Sequence, residues 1–311
     1  MRVSAALVIV LVILAGVFAV VRFGFERGDG EEALFPDFRP ELAAKILLEG
    51  KEKMTILERT EDAWIVTSED SFPSEAKAVQ TIFDHLAGFS RKDIVSSNPE
   101  KQSLYQVDST GVLVTIEDAG GKALASFIVG KVGPDYQSTY VRGGGSDEVV
   151  LAAGYLPPAF DRGKRSWQDK TIFSLEPADM VEVGISRPAE RFSLVRDRAG
   201  QWYISQPESI ACDQNTVTRL VRILAYLRCD ELAGRAPVPE SGLAQADSSV
   251  WLKTAGGSEE RLLFGNETES KQIYAAREGS NMVYLLASHR VEAMLPGLEE
   301  LRSKEVQADE E

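Results

Sequence analysis

Cysteine and histidine are nearly absent, with two of each in a chain of 311 residues. So few thiols exclude a disulfide-built scaffold and a zinc site of the C-x-x-C type. Cys212 and Cys229 lie near opposite ends of one expected helix. That helix would hold them roughly 25 Å apart, far beyond disulfide reach, so two buried thiols are expected. His85 falls within an amphipathic segment and His289 after a strand. Neither has a second ligand nearby in sequence, so no metal or cofactor site is expected. Also missing are G-x-G-x-x-G, a Walker loop and G-x-S-x-G. The glycine-rich "RGGGS" at 142–146 lies between two expected strands and reads as a turn, because a phosphate loop should open a helix. Ser74 and Lys77 match S-x-x-K, but the companion S-D-N and K-T-G motifs are missing. The structural reading is that Ser71 or Ser74 caps a helix whose positive end favours Glu75. Acidic clusters such as Glu299-Glu300 lack EF-hand spacing. No catalytic residue is assigned, and a non-enzymatic protein is expected. Positive charge is also scarce, with 34 Lys and Arg against 48 Asp and Glu and a net charge of −14. The first 22 residues hold two Arg and no acid, so the remainder is more acidic still. Such a body repels phosphate backbones, which excludes nucleic acid as a partner.

What the chain does have is a leading apolar run. Residues 3–21, "VSAALVIVLVILAGVFAVV", contain one Ser and no charge. As a helix they would cover about 28 Å, close to the hydrocarbon thickness of a bilayer. Residues 1–22 therefore read as a transmembrane signal anchor, with the lipid bilayer as partner through 3–21. The expected address is the cytoplasmic (inner) membrane, single-pass, with the bulk of the chain on the periplasmic side. A cleaved signal peptide, cut after Val17-Phe18-Ala19, is the alternative and gives the body the same address. No Cys follows "LAG", which argues against a lipoprotein. Residues 23–41 mix Gly, Pro and acids without periodicity and read as a linker. Residues 307–311 read as an acidic tail.

Between linker and tail the chain repeats itself. "SFPSEAKAVQTIFDHLAGF" at 71–89 and "SIACDQNTVTRLVRILAYL" at 209–227 place apolar residues at the spacing of one helical face. Trp64 and Trp202, 138 residues apart, precede them. At that offset Val112 falls on Val250 and Val114 on Leu252. After a shortened turn Gly130 falls on Gly265, Tyr140 on Tyr274, Leu151 on Leu285 and Lys170 on Lys304. Each copy reads as a strand pair ("MTILER" with "AWIVT", "RFSLVR" with "QWYIS"), the amphipathic helix, four strands and a closing short helix. The four strands fall near 112–117, 123–129, 139–142 and 148–152, and near 249–254, 260–264, 273–277 and 282–286. Hairpin turns such as "DAGGK" and "TAGGSE" imply antiparallel pairing. The fold class is α+β: two tandem copies, 42–173 and 179–306, of a mainly antiparallel sheet with one packed amphipathic helix. Trp64 and Trp202 read as core anchors.

The chain resembles the bacterial domain of unknown function 4340 family. The resemblance lies in the N-terminal span, in Trp64-Ile65-Val66 with residues 74–86, and in Trp202-Tyr203-Ile204 with residues 211–224. It continues through the turns at Gly130 and Gly265 and the Trp167–Lys170 segment, about residues 42–306 in all. Trp167-Gln168 and Ala211-Cys212 depart from that family's usual pattern. The resemblance implies a single-pass envelope protein associated with ABC transporters whose auxiliary subunits resemble gliding-motility components. It brings no catalytic residues. The leading expectation is an accessory or scaffold ectodomain with membrane-protein partners, transporter subunits among them. One alternative is a solute- or glycan-binding module with a cleft between the repeats, where Tyr136, Tyr140, Tyr274 and Arg277 would be wall residues. The other is a hydrolase.

Overall fold

A computed structural model describes residues 33–51, 54–61, 63–67, 71–90 and 94–303. The apolar run 3–21, most of the linker, and the acidic tail lie outside the described residues. Among the described residues no helix is long and apolar enough to cross a membrane. The chain divides into two units, Met1–Asp169 and Lys170–Glu311. Lys170, Ile172 and Phe173, which the sequence pattern places in the first copy, make backbone hydrogen bonds to Cys229 and Leu227 of the second.

In the first unit β1 (Lys45–Glu49), β2 (Met54–Arg59), β3 (Trp64–Val66) and β4 (Phe72–Pro73) form a meander that ends at one sheet edge. Helix α1 (Ala76–Ala87) follows, and the chain then enters β5 (Ile94–Ser96) at the opposite edge. It returns beside β1 as β6 (Val112–Glu117) and meanders out through β7 (Ala123–Val132), β8 (Ser138–Gly143) and β9 (Val149–Ala153) to meet β5. The pairing is antiparallel throughout. The helix forms because Val79, Ile82, Phe83 and Leu86 recur at i, i+3, i+4 and i+7, and all four are buried. They pack into one core with Leu48, Leu57, Val114, Ile116, Phe127 and Val141 from alternate positions of the strands.

The second unit repeats this plan. Its strands are β10 (Met180–Ser186), β11 (Arg191–Arg196), β12 (Trp202–Gln206), β13 (Ile210–Ala211), β14 (Glu231–Arg235), β15 (Ser248–Thr254), β16 (Glu259–Glu267), β17 (Gln272–Arg277) and β18 (Met282–Ala287), with α2 (Gln214–Ala225) between β13 and β14. The nine-strand order is the same in both units, position for position. The closing contacts match as well. In the first unit Glu75 N donates to Trp167 O at 2.9 Å and Asp169 N to Pro73 O at 2.8 Å, around a Ser74–Gln168 bridge. In the second, Asp213 N donates to Leu301 O at 2.8 Å and Ser303 N to Ala211 O at 3.1 Å, around a Cys212–Arg302 bridge. In each copy the segment after the last strand thus clasps the strand that leads into the long helix.

Three expectations change. The middle strands β1 and β10 were not anticipated. "KILLE" is rich in residues that favour helix, and only its pairing on both sides makes it a strand. The repeat offset also shortens earlier than the sequence suggests. Leu48 pairs with Val114 and Ile185 with Val250, so Val114 corresponds to Val250 and Ile116 to Leu252. A slip of two along a strand keeps every side chain on its face, so alternation could not detect it. Finally, Glu75 rather than a Ser occupies the cap of α1 and makes no capping bond with its side chain. Asp213 does cap α2, accepting from Thr216 N at 2.7 Å.

Ile82 and Leu220 are both buried at the centre of their helices. Ile82→Ala and Leu220→Ala should each cost about 2–5 kcal/mol. Hydrogen exchange read by mass spectrometry should locate each loss in the substituted unit. A loss of under ~1 kcal/mol would contradict the core position.

Candidate functional site

The expected wall residues fall in two places. Tyr136 sits at the β7–β8 turn and is 82% exposed. Tyr140 on β8 packs on Tyr105 at 4.7 Å between ring centroids, with Lys131 Nζ 5.9 Å from its own centroid. In the second unit Tyr274 and Arg277 are three positions apart on β17, so they project to opposite faces of the sheet. Burial, then the neighbouring Glu240, raises the Tyr274 hydroxyl pKa above its ordinary value. Arg277 is engaged by both oxygens of Glu260, at 2.9 and 2.8 Å, and lies over Phe173.

The S-x-x-K pair is not assembled for proton transfer. Ser74 is buried with its hydroxyl unpartnered, whereas Lys77 is exposed. The corresponding Cys212 donates to Trp202 O at 2.9 Å. Gln214 closes that corner with two further bonds to the Trp202 backbone, and Trp202 is buried. Ala76 stands where Gln214 would, and Trp64 is left half-buried against Phe83. "RGGGS" forms the β8–β9 turn. Burial lowers the His85 pKa below the usual imidazole range. Among the described residues no group of three or more His, Cys, Asp or Glu could hold a metal ion.

The hollow with the most developed chemistry lies on the face of the second sheet opposite α2. It measures about 580 Å³. Its floor is set by a cross-strand pair, Gly184 on β10 and Trp251 on β15. A Cβ at Gly184 would lie 1.8 Å from Trp251 Nε1, so the indole occupies the space a side chain would fill. Gly184 is not a left-handed position, and close approach alone requires the glycine. Trp251 remains partly exposed and lines the hollow. Around it stand Glu182, Arg191 and Gln206, together with two ion pairs. Lys253 Nζ lies 2.9 Å from Glu259 Oε1, and Arg261 Nη1 lies 3.8 Å from Glu278 Oε1. The hydrogen bond from Lys253 holds the Glu259 carboxyl below its usual range and raises the lysine. At the inner edge Ser193 Oγ and Ser205 Oγ are 2.8 Å apart. Sequence reasoning missed this site. The available signal was one glycine inside the otherwise continuous strand "VEVGIS".

The first sheet differs at the corresponding places. Register sets Leu47 against Gly184, Ile56 against Ser193, Leu113 against Ser249 and Thr115 against Trp251. Leu47, Ile56, Leu113 and Ile128 are half-buried and give that outer face an apolar stripe.

A family model described as Domain of unknown function (DUF4340) matches residues 64–246 and again 202–308. The chain belongs to this family. The two DUF4340 matches start at Trp64 and Trp202, the same position of the two copies, so the family pattern is itself met twice. No curated protein and no solved structure matches the chain.

Gly184→Ala must push the indole off the sheet and should cost about 1–3 kcal/mol. In a double-mutant cycle that cost should shrink when Trp251→Ala is already present. A cost unchanged by Trp251→Ala would contradict the close approach. Separately, burial raises both thiols, Cys212 and Cys229, to about 11. The thiolate fraction at pH 8 is then on the order of 0.1%. Iodoacetamide should leave both unlabelled in the native protein and modify both in denaturant. Rapid native labelling would contradict the burial.

Proposed function

We propose that this chain is a non-enzymatic, single-pass envelope protein whose duplicated ectodomain serves as an accessory or scaffold subunit of a membrane complex, of ABC-type transport class. In this reading the apolar run 3–21 tethers it, and residues 33–303 stand on the extracytoplasmic side. One observation carries the reading: the two copies keep their cores while their outer faces have diverged. Core positions correspond in kind, as with Leu57 and Leu194 or Val114 and Val250. The outer positions change from Leu47, Ile56 and Thr115 to Gly184, Ser193 and Trp251. A sheet needs its buried face to fold, whereas its free face answers to what it touches. Two copies with different free faces suit a protein that holds two different neighbours.

A photo-crosslinking residue placed at Ile56 or Leu113 in full-length protein in membranes should give adducts with integral membrane proteins, transporter subunits among them. The same residue at Gln80, on the solvent side of α1, should not. Adducts from both positions alike, or from neither, would remove the scaffold reading. The second reading, a solute- or glycan-binding module, is favoured by the Trp251 hollow.

A further inference from the structure

We infer that the hollow at Trp251 is a saccharide site, and that its ligand is a neutral pyranose unit of a larger glycan. This rests on the second reading above and is independent of the scaffold reading.

The hollow restricts what it can accept. Its volume, about 580 Å³, is that of a small-ligand pocket. Its exposed apolar surface is a single indole, seated on Gly184, because Phe192, the other aromatic residue of the lining, is buried. An acyl chain or an apolar side-chain cluster would meet charged groups on every side of that ring. An anion would meet Glu182, Glu259, Glu260 and Glu278, which outnumber Arg191, Lys253 and Arg261 and leave no net positive field. Lys253 and Arg261 are moreover already paired with carboxylates. A bare cation finds no group of three ligands among the described residues. A pyranose satisfies both halves of the site. One face of the sugar ring is a patch of C–H bonds that packs on an indole, and its rim is a circle of hydroxyls that both donate and accept. The groups around Trp251 supply both functions: Glu182 accepts, Arg191 donates, and Gln206 does either. The hollow is open on the outer face of a sheet, so a chain of sugars could run across it with one ring on the tryptophan.

The position is also specific to one copy. Thr115 stands where Trp251 does, and Leu47 where Gly184 does, so the first unit has neither the platform nor the space for it. The saccharide site therefore belongs to the second unit alone.

The test is titration of the full-length protein with a panel of neutral probes: cellotriose, maltotriose, and the trimer of N-acetylglucosamine. A proline-rich peptide and a mixture of amino acids serve as non-saccharide probes. Binding is read by tryptophan fluorescence and by isothermal calorimetry. At least one trisaccharide should bind saturably, and Trp251→Ala should weaken it by about tenfold or more. Trp64→Phe should leave it unchanged. If Trp251→Ala proves unstable, Arg191→Ala, at an exposed position, gives a second reading and should also weaken binding. Saturable binding of the peptide or amino acids without any saccharide would overturn the inference and leave the binding-module reading standing. No binding by any probe would overturn both. Saccharide binding that Trp251→Ala and Arg191→Ala leave unchanged would overturn the assignment of the site.

Discussion

Among the described residues each unit has nine strands and a single long helix on one side of them, and the rest of the structure depends on that constraint. Alternate residues of a strand point to opposite faces, so one set enters the core beneath the helix and the other faces away. Among the described residues nothing comparable to α1 or α2 lies on the far side, and they cover the second set only in part. The loop before β6 packs there over one end of the first sheet, with Val107 buried beside Arg142. The segment before β15 does the same in the second, where Ser241 and Leu243 lie over Gly265. Those close approaches explain Gly130 and Gly265, where any Cβ would strike backbone oxygens. The middle of each outer face stays open, and it is there that the two copies part company.

Duplication explains why such a chain can keep one architecture while presenting two surfaces. The clasp that ties residues 167–169 to 73–75 recurs at 301–303 and 211–213, hydrogen bond for hydrogen bond. These contacts and the helical stripe fix the fold. The outer positions are under no such demand, because a solvent-facing position of a strand contributes little to the core. Leu47 could become Gly184, or the reverse, without disturbing the buried row beside it. The apolar leader and the DUF4340 membership fit the proposed setting at a membrane, where such faces would meet other molecules.

Much of the fold was legible because it rests on periodicity. Both long helices, the hairpin strands and the twofold repeat follow from the spacing of apolar residues around Ile82 and Leu220. What was not legible needs distant pairing. The strand "KILLE" has no local mark that separates it from a helix, and β5 and β14 exist only because the chain crosses to the far edge of the sheet. The two-residue shift in the repeat offset was invisible because it leaves inside and outside unchanged. The tyrosines chosen as wall residues were selected for being aromatic and repeated. Tyr140 and Tyr274 do correspond, but Tyr140 is spent on Tyr105 and Tyr274 on Glu240. Trp251 escaped notice because its partner, Gly184, lies 67 positions away in sequence and beside it only in the sheet.

The central claim is that the outer sheet faces, and not the helical sides, are where this protein meets other molecules. Oxidative footprinting of the full-length chain in its host cells, compared with the purified chain, tests it most directly. The account predicts protection in the cell at Leu47, Ile56 and Leu113, with Gln80 and Arg222 on the helical sides unchanged. Equal oxidation of the outer faces in both preparations, or protection confined to the helices, would contradict it.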